Sequence, residues 1–411
     1  MPGWGHYNRS RRSHVIVGTH KMLTGNYAAA YGAKLARVEV TPVYPITPQT
    51  HIMEKMAEFI ENGELDAEFV SVESEHSALA VAIAAQATGA RSFTATSAQG
   101  LLYMHENLFV ASGLRLPIVM VLVNRALGAP NSIYPDLSDS LDQRDTGWIQ
   151  VYVENAQEAH DMVVQAYRIA EDKRVLLPMA ICFEGIIISH YMEPVEILDQ
   201  EKVDNFLMPY LPEHVILDPD RPMSVGQIVM DDSYYMEYRY QQQEAMDRAK
   251  EVIQEVDEAF GQSFGRYYGG LLSTEMMEDA EVALLTLGSL ASTARAVVNH
   301  LRNEDGISIG LVKLRMVRPF PDQELSELLS DTKVVVVLER DVSIGAGGIV
   351  YTELCRSLNG RNGPHLINYI LGLGGRDVTF EDIKDIALLS CSERHTTTID
   401  NPIRWYQVRG L

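Results

Sequence analysis

The first half of the chain is organised around the stretch VYPITPQT at residues 43–50, where an apolar run meets a helical pattern. Proline fixes its own φ and pushes the preceding residue toward extended geometry. Pro45 and Pro48 therefore hold this loop in nearly one conformation and present the hydroxyl of Thr47. The apolar spacing that follows predicts a helix beginning at the last two residues of the stretch, and helix N-termini favour anionic ligands. An ordinary turn before a helix is the alternative interpretation.

Composition limits the classes of protein that fit this chain. Its 411 residues are 46% hydrophobic, which suggests two or three domains. Lys and Arg number 34 against 56 Asp and Glu, and the net charge of −22 disfavours binding to nucleic acid or an anionic membrane surface. No apolar run approaches the roughly 20 residues of a membrane helix, and no apolar signal-peptide core follows the N-terminus. We therefore predict a cytoplasmic protein.

The cysteines, Cys182, Cys355 and Cys391, are widely spaced and lack the paired spacing that holds zinc or an iron–sulfur cluster. Metal ligands are therefore not predicted on this chain. If the reaction moves electrons, the metal centres are expected on another polypeptide.

Hydrophobic patterning divides the chain into parts. Residues 1–20 form an N-terminal extension, and residues 21–265 alternate helical stretches with short β-rich apolar runs. That alternation predicts an α/β domain with a mostly parallel sheet and helices on both faces, in which ligands gather at the carboxyl ends of the strands. Its last part, from about residue 194 to residue 265, is interpreted as a helical connector, and residues 270–411 as a second α/β domain.

Glu75 is a candidate functional carboxylate because it lies where a β-rich run meets an alanine-rich helix. Small side chains let neighbouring backbone approach closely, so an acid at the start of such a helix is expected to lie against a neighbour or a cofactor. The alternative is a carboxylate that only interacts with the helix dipole. The turn at residues 96–100 also permits close approach of a ligand through Gly100, although such turns are common.

Arg125 follows the apolar strand pattern at residues 117–123, so it should lie at the edge of the sheet where ligands bind. Its guanidinium can hold a carboxylate through two parallel hydrogen bonds. An ion pair with a structural aspartate is the alternative, because an acidic loop follows at residues 136–145.

Several motifs occur in a characteristic order along the chain. They are YPITP at residues 44–48, SEH at 74–76, TSAQG at 96–100, NRA at 124–126, RDTGW at 144–148 and KLRMVRPFP at 313–321. This combination resembles the alpha subunit of 2-oxoacid:ferredoxin oxidoreductases, most closely the pyruvate members, over almost the whole chain after the first twenty residues. The resemblance implies a pyrimidine-type thiamine-diphosphate-binding domain with a mostly parallel sheet, followed by a transketolase C-terminal-like α/β domain.

The resemblance also implies cofactors. Glu75 matches the carboxylate that contacts the aminopyrimidine ring of thiamine diphosphate, and Tyr44, Pro45 and Ile46 match residues beside that cofactor. Mg²⁺ and the diphosphate are implied to lie on a separate beta subunit, so the two chains share the site.

Substrate-binding residues are implied in the same way. Thr47 and Arg125 match the residues that bind the keto and carboxylate oxygens of the 2-oxoacid, and with Glu75 they form the implied catalytic set. The implied reaction is the reversible oxidative decarboxylation of pyruvate to acetyl-CoA and CO₂, with coenzyme A as co-substrate. Electrons pass through iron–sulfur clusters on gamma and delta subunits, or their fused equivalents, to ferredoxin.

The substrate and the catalytic status stay open at this point. The loop at residues 131–145 resembles the pyruvate and branched-chain members more than the 2-oxoglutarate members, but Ile133 and Tyr134 depart from the pair expected in the pyruvate enzymes. A 2-oxoisovalerate or other small 2-oxoacid enzyme is one alternative. A non-catalytic structural subunit of the same complex and a component that transfers its product to lipoamide are the others.

Overall fold

The computed structural model describes residues 19–212, 214–360, 363–396 and 398–410. The N-terminal extension expected at residues 1–20 lies outside these ranges, except for its last two residues, which begin the first strand. The first elements in chain order are β1 (Thr19–Leu23), α1 (Gly25–Leu35), β2 (Val40–Val43), α2 (Thr50–Glu61), β3 (Glu68–Ser71), α3 (Glu75–Ala87), β4 (Phe93–Thr96), α4 (Ala98–Tyr103), α5 (His105–Gly113), β5 (Val119–Asn124), α6 (Ser138–Leu141), β6 (Ile149–Tyr152), α7 (Ala156–Ala170) and β7 (Met179–Glu184).

The remaining elements form the connector and the second α/β part. Helix α8 (Ile187–His190) precedes the connector, which contains β8 (Glu193–Ile197), α9 (Gln200–Leu207) and α10 (Tyr235–Phe264). The second part contains β9 (Leu272–Glu275), β10 (Val282–Thr286), α11 (Leu290–Asn303), β11 (Ile309–Leu314), β12 (Met316–Arg318), α12 (Asp322–Leu328), β13 (Val334–Glu339), α13 (Ile349–Leu358), β14 (His365–Ile370), α14 (Phe380–Ser392) and β15 (Ile403–Trp405).

The first sheet has the strand order β12-β6-β7-β5-β4 within the described ranges. Its strands run parallel apart from β12, which pairs antiparallel with β6 although it comes from the second part of the chain. The parallel pair β2 and β3 lies beside β4 and is joined to it by a bridge between Val40 and Ser92. Alternate residues of β5 enter separate cores, Val121 with α1, α2 and α7, and Leu122 with α3 and α5. The predicted mostly parallel sheet with helices on both faces is confirmed.

The second sheet has the order β15-β14-β13-β10-β11-β9 among the described residues, and only its edge strand β9 pairs antiparallel. Val336 on β13 packs into a core with α11 and α14. Its neighbours Val335 and Val337 enter the core that also holds Leu122 of the first sheet. The two sheets therefore share one hydrophobic core.

The strand order of the second sheet reverses beside β10, and α/β sheets commonly bind ligands at such a point. Glu184, at the end of β7, reaches this point. Its Oε1 accepts hydrogen bonds from the N–H and the hydroxyl of Ser289, both at 2.9 Å, and lies 3.6 Å from Nη1 of Arg340. A side chain of the first sheet thus occupies the place that a ligand of the second sheet would take.

The connector ends in a 30-residue helix, α10, within the stretch that the sequence analysis interprets as a helical connector. One face of α10 buries Ala249, Val256 and Phe260 in the core that contains α7. The irregular chain before it leaves Ile228 and Met230 exposed.

Buried ion pairs join the two parts of the chain. Lys313 on β11 lies 2.6 Å from Oε2 of Glu158 and 3.0 Å from Oε2 of Glu154, both on or beside α7. Arg315 lies 2.9 Å from the other oxygen of Glu158, and Arg295 pairs with Glu154. Burial favours a higher pKa for Glu154, but Arg295 and Lys313 outweigh it and lower that pKa to about 2. Lys313, Arg315 and Arg295 therefore form ion pairs at the interface between the two parts of the chain.

Replacing Lys313 with methionine should lower the free energy of unfolding by about 3–5 kcal/mol, because two buried carboxylates lose their shared cation. The measurement is chemical unfolding at neutral pH. Lys333→Met is the matched control, since Lys333 pairs with Glu281 at an exposed position and should contribute little. Equal stability of the two variants would contradict the role given to Lys313.

The acid dependence of stability should change in the same variant. The folded-state pKa of Glu154 lies below its ordinary value of 4.5, so its stabilisation is present above pH 4.5 and is lost as pH falls toward about 2. Lys313→Met weakens the cause of that shift, so its stability should fall less steeply over this interval than that of the unmodified protein. Parallel acid unfolding curves would contradict this expectation.

Candidate functional site

The proline-containing loop before α2 is fixed from below by two buried amides. Asn26 Nδ2 donates a hydrogen bond of 2.8 Å to the carbonyl of Pro48, and Gln49 Nε2 donates one of 3.0 Å to the carbonyl of Tyr44. Helix α2 begins at the end of the loop, as predicted. The loop holds Thr47 exposed at its tip.

Glu75 is the first residue of α3, and Ser74 caps that helix by accepting a hydrogen bond from the N–H of Ser77. The Glu75 side chain lies against α4, where a Cβ added to Gly100 would be 2.6 Å from its Oε1. The residue is only 8% exposed. Within the part of the chain that the structure describes, its carboxylate has no hydrogen-bond or ion-pair partner. The hydroxyl of Thr96, beside the same glycine, is also buried without a partner.

Arg125 directly follows β5 and reaches across the end of β4. Its Nη1 donates a 2.7 Å hydrogen bond to the carbonyl of Thr47, and its Nη2 donates one of 2.6 Å to Oε1 of Gln99. Its Nε is buried without a partner. Among the described residues no carboxylate forms an ion pair with this guanidinium, so the alternative of a structural aspartate partner is not observed. The positive charge of Arg125 remains available to a ligand.

The turn at residues 96–100 brings the predicted site residues together. Gln99 holds Arg125, and the next residue, Gly100, lies on the carboxylate of Glu75. Arg125 in turn contacts the backbone of Thr47. Sequence patterns indicated all three candidate residues but gave this turn little weight.

Three positions of the site were missed by the sequence analysis: Gln99, Asn26 and Gln49. Gln99 could have been found from its place in the small-residue turn between a strand and a helix. Asn26 and Gln49 carry no comparable signal, because each binds a loop carbonyl that only the folded chain brings within reach.

The loop between β5 and α6 is held by the second part of the chain. Gly374 donates its N–H to the carbonyl of Pro135 at 3.0 Å, and Leu137 donates its N–H to the carbonyl of Arg340 at 2.8 Å. Tyr134 in this loop packs over Gly375, where an added Cβ would lie 2.5 Å from the tyrosine Cβ. The second part of the chain therefore anchors the loop that follows Arg125.

Two further observations concern the whole of the described chain. None of its helices within those ranges is both long and apolar enough to cross a membrane. No group of three or more His, Cys, Asp or Glu side chains in the same ranges is arranged to hold a metal ion.

Family profiles match most of the chain. Residues 31–258 match the family described as pyruvate flavodoxin/ferredoxin oxidoreductase, thiamine diphosphate-binding. Residues 280–383 match pyruvate:ferredoxin oxidoreductase core domain II.

Curated relatives are similar over nearly their full length. The chain is 50% identical over 368 residues to pyruvate synthase subunit PorA of Methanocaldococcus jannaschii, covering 89% of this chain and 93% of that one. It is 47% identical over 390 residues to PorA of Pyrococcus furiosus, covering 95% and 98%. It is 48% identical over 390 residues to ketoisovalerate oxidoreductase subunit VorA of Pyrococcus horikoshii, again covering 95% and 98%.

Solved structures share the fold at low sequence identity. A 2-oxoglutarate:ferredoxin oxidoreductase from Magnetococcus marinus, with 2-oxoglutarate, coenzyme A and succinyl-CoA bound, superposes with a TM-score of 0.69 at 20% identity. The match covers 90% of this chain and 65% of that one. A split-gene transketolase, described as an inactive beta4 tetramer, gives a TM-score of 0.50 at 14% identity, covering 90% and 99%.

The fold and the matches define a thiamine-diphosphate-type α/β protein, and the chain belongs to the pyruvate flavodoxin/ferredoxin oxidoreductase family. Within that family it is an alpha subunit of a 2-oxoacid:ferredoxin oxidoreductase. The resemblance seen in the sequence motifs is confirmed. The roles given to individual site residues stay predictions.

Proposed function

We propose that this chain is the alpha subunit of a pyruvate synthase, which reversibly and oxidatively decarboxylates pyruvate to acetyl-CoA and CO₂ and passes the electrons to ferredoxin. The supporting observation is that a buried carboxylate, Glu75, and an unneutralised cation, Arg125, meet around the turn at residues 96–100. The relatives named pyruvate synthase subunit, matched over nearly their whole length, support the same reaction.

The residues around Glu75 fit the aminopyrimidine end of thiamine diphosphate. A buried carboxylate is costly unless it accepts hydrogen bonds, and Glu75 has no acceptor role within the described chain. The bare Cα of Gly100 leaves the room in which a flat ring can approach that carboxylate. When bound, thiamine diphosphate supplies a nucleophilic carbon and an electron sink for decarboxylation. In this proposal Glu75 holds a proton at the ring nitrogen, and Tyr44, Pro45 and Ile46 line the ring.

Thr47 and Arg125 are proposed to bind and orient the 2-oxoacid. The Thr47 hydroxyl lies on the exposed tip of a fixed loop, where it can donate to the keto or carboxylate oxygen. Arg125 can pair with the carboxylate, and its anchoring to Gln99 and to the Thr47 carbonyl fixes its direction. Because the carboxylate leaves as neutral CO₂, a very strong ion pair with it would oppose the reaction. The hydrogen bonds that Arg125 already makes moderate this pair.

The site is proposed to be completed by partner subunits. A beta subunit holds the diphosphate and Mg²⁺, which fits the exposed position of Pro45 and Thr47 at the rim of the site. Iron–sulfur clusters lie on gamma and delta subunits or their fused equivalents, and ferredoxin accepts the electrons. Coenzyme A, which the matched 2-oxoglutarate enzyme binds, takes the acyl group.

The division of the chain and its location belong to the same proposal. Residues 21–265, with a helical connector from about residue 194, form the pyrimidine-binding domain, and residues 270–411 form the transketolase C-terminal-like domain. The assembly works in the cytoplasm.

2-Oxoisovalerate is the second candidate substrate. The relatives named ketoisovalerate oxidoreductase subunit are 46–48% identical to this chain, close to the 46–50% of the pyruvate synthase subunits. Ile133 and Tyr134, both 46% exposed in the loop after Arg125, are the residues that we propose distinguish a longer substrate side chain.

The test is ferredoxin reduction by the complex purified with its partner subunits. Pyruvate, 2-oxoisovalerate and 2-oxoglutarate are compared in the presence of coenzyme A and thiamine diphosphate, and pyruvate should give the highest kcat/KM. A higher value for 2-oxoisovalerate would assign the second candidate. Bound thiamine diphosphate without turnover of any of the three would identify a structural subunit, and transfer to lipoamide instead of ferredoxin would identify the third alternative.

Gly100→Ala should weaken thiamine diphosphate binding and lower turnover, because the new Cβ would lie 2.6 Å from Oε1 of Glu75 and displace the carboxylate. A misplacement of about 1 Å costs on the order of 100-fold in rate. Gly113→Ala is the control, since nothing lies within 4 Å of a Cβ there. Titration of the complex with thiamine diphosphate measures the effect, and equal affinity in both variants would remove Glu75 from the cofactor site.

Arg125→Lys should lower kcat/KM for pyruvate by roughly ten- to a hundred-fold, because lysine keeps the charge but cannot make paired hydrogen bonds to a carboxylate. Thiamine diphosphate affinity should stay unchanged. Arg144→Lys is the control, since Arg144 lies 3.4 Å from Glu353 in the same acidic region. If both variants retained full kcat/KM, Arg125 would have no part in substrate binding.

A further inference from the structure

Asp139 lies behind the site, wholly buried in the short helix α6. Its Oδ2 accepts hydrogen bonds from the N–H groups of Ala98 and Arg125, both at 3.0 Å. Its Oδ1 accepts from Asn124 Nδ2 at 2.7 Å and from the N–H of Ser140 at 2.8 Å. One carboxylate therefore ties the end of β4 to the end of β5.

The two backbone groups bound by Oδ2 begin the two segments that carry the site. Ala98 opens the turn that presents Gln99 and Gly100, and it does so at φ 42°, a left-handed conformation that is unfavourable for alanine. The other group belongs to Arg125 itself. An acceptor shared by both N–H groups compensates for the strain at Ala98 and fixes the separation of the two segments.

We propose that Asp139 is a positioning residue that sets the distance between the substrate-binding guanidinium of Arg125 and the cofactor cradle at Gly100 and Glu75. The effect of this positioning on catalysis rests on the proposed function. Asp139 acts through Arg125 and the turn, and it is separated from any substrate by the backbone that it binds.

The hydrogen-bond pattern requires the ionised carboxylate. Both oxygens receive two N–H donors, so a proton on either oxygen would face a donor and break the pattern. Burial raises the pKa of Asp139 from its ordinary 3.8 to about 7, against the hydrogen bonds from Asn124, Arg125, Ala98 and Ser140, which lower it. As pH falls through about 7 the ionised fraction decreases, so kcat/KM for the 2-oxoacid should fall on the acid side of that value.

Other titratable groups surround this carboxylate. Arg125 at the end of β5, Tyr152 on β6 and Cys182 on β7 interact with it directly. The next neighbours are Glu184, which interacts with Cys182, and Asp341, which interacts with Tyr152 and with Asp136. Burial raises the pKa of Tyr152 and of Cys182, so both stay neutral near pH 7. Burial also raises the pKa of Asp341 to about 7, which makes it the main competing source of an acid limb.

The experiment measures kcat/KM for pyruvate with the complete complex carrying Asp139→Asn. Measurements run from about pH 5.5 to about pH 9, because a carboxylate with a raised pKa titrates within this range. An asparagine leaves two of the four donors without an acceptor, so kcat/KM at pH 8 should fall roughly ten- to a hundred-fold and the acid limb should disappear. Asp341→Asn should retain the limb. Loss of the limb in Asp341→Asn and its persistence in Asp139→Asn would overturn the proposal.

Asn124→Ala provides a milder test for the case in which Asp139→Asn does not assemble. It removes one donor that lowers the Asp139 pKa, so the acid limb should move to higher pH. A purely structural role for Asn124 would reduce yield or stability without moving the limb, and an unmoved limb would overturn the proposal.

Hydrogen exchange separates this proposal from the proposed function. Peptides covering residues 96–101 and 123–128 should exchange faster in Asp139→Asn, because their N–H groups lose an acceptor. The control is Asp257→Asn, a buried carboxylate that binds the N–H groups of Tyr268 and Gly269 instead. Unchanged exchange would overturn the positioning role, whereas absence of 2-oxoacid turnover in the unmodified complex would overturn only the proposed function.

Discussion

The site depends on a nearly buried carboxylate, that of Glu75 at the start of α3. Ionised carboxylates are costly to remove from water unless they are paired or hydrogen-bonded. Glu158 meets that requirement with Lys313 and Arg315, whereas Glu75 finds no partner among the residues that the structure describes. The start of α3 supplies only the partial positive charge of a helix N-terminus. The Glu75 carboxylate is therefore able to accept a hydrogen bond from a donor outside the described residues.

The surrounding architecture brings the turn beside Glu75 close to Arg125. Strands β4 and β5 end side by side, and the segments that follow them carry Gly100 and Arg125. The loop after Arg125 is then bonded to the second part of the chain through Pro135 and Leu137. Because both sheets contribute to one core, a displacement of the second sheet would be transmitted to this loop.

The sequence predicted the local features of the fold well. The alternation of strands and helices, the start of α2 and the long connector helix all follow from patterns of neighbouring residues. The alanine-rich helix begins at Glu75, because Ser74 caps it. Strand β12 was not predicted to join the first sheet, since its pairing with β6 is decided by tertiary packing and not by its own composition.

The candidate site was predictable where chemistry is carried by motifs, at Thr47, Glu75 and Arg125. It was less predictable where one side chain supports another. The hydrogen bonds from Asn26 to Pro48 and from Ala98 to Asp139 join positions far apart in the chain, and no periodicity records them. Glu75 is buried at the start of α3, where the sequence pattern placed it, and its role there stays a prediction.

Glu184 has a consequence for how the polypeptide could be divided. The side chain of Glu184 is wholly buried at the start of α11, so a residue of the first sheet completes the hydrogen bonding of the second part of the chain. Cutting the backbone near residue 270 would leave polar groups without their partners on both fragments. The first fragment would expose the carboxylate of Glu184, and the second would lose the acceptor of the Ser289 N–H and hydroxyl. The two halves are better regarded as co-folding partners than as modules that can be exchanged between proteins.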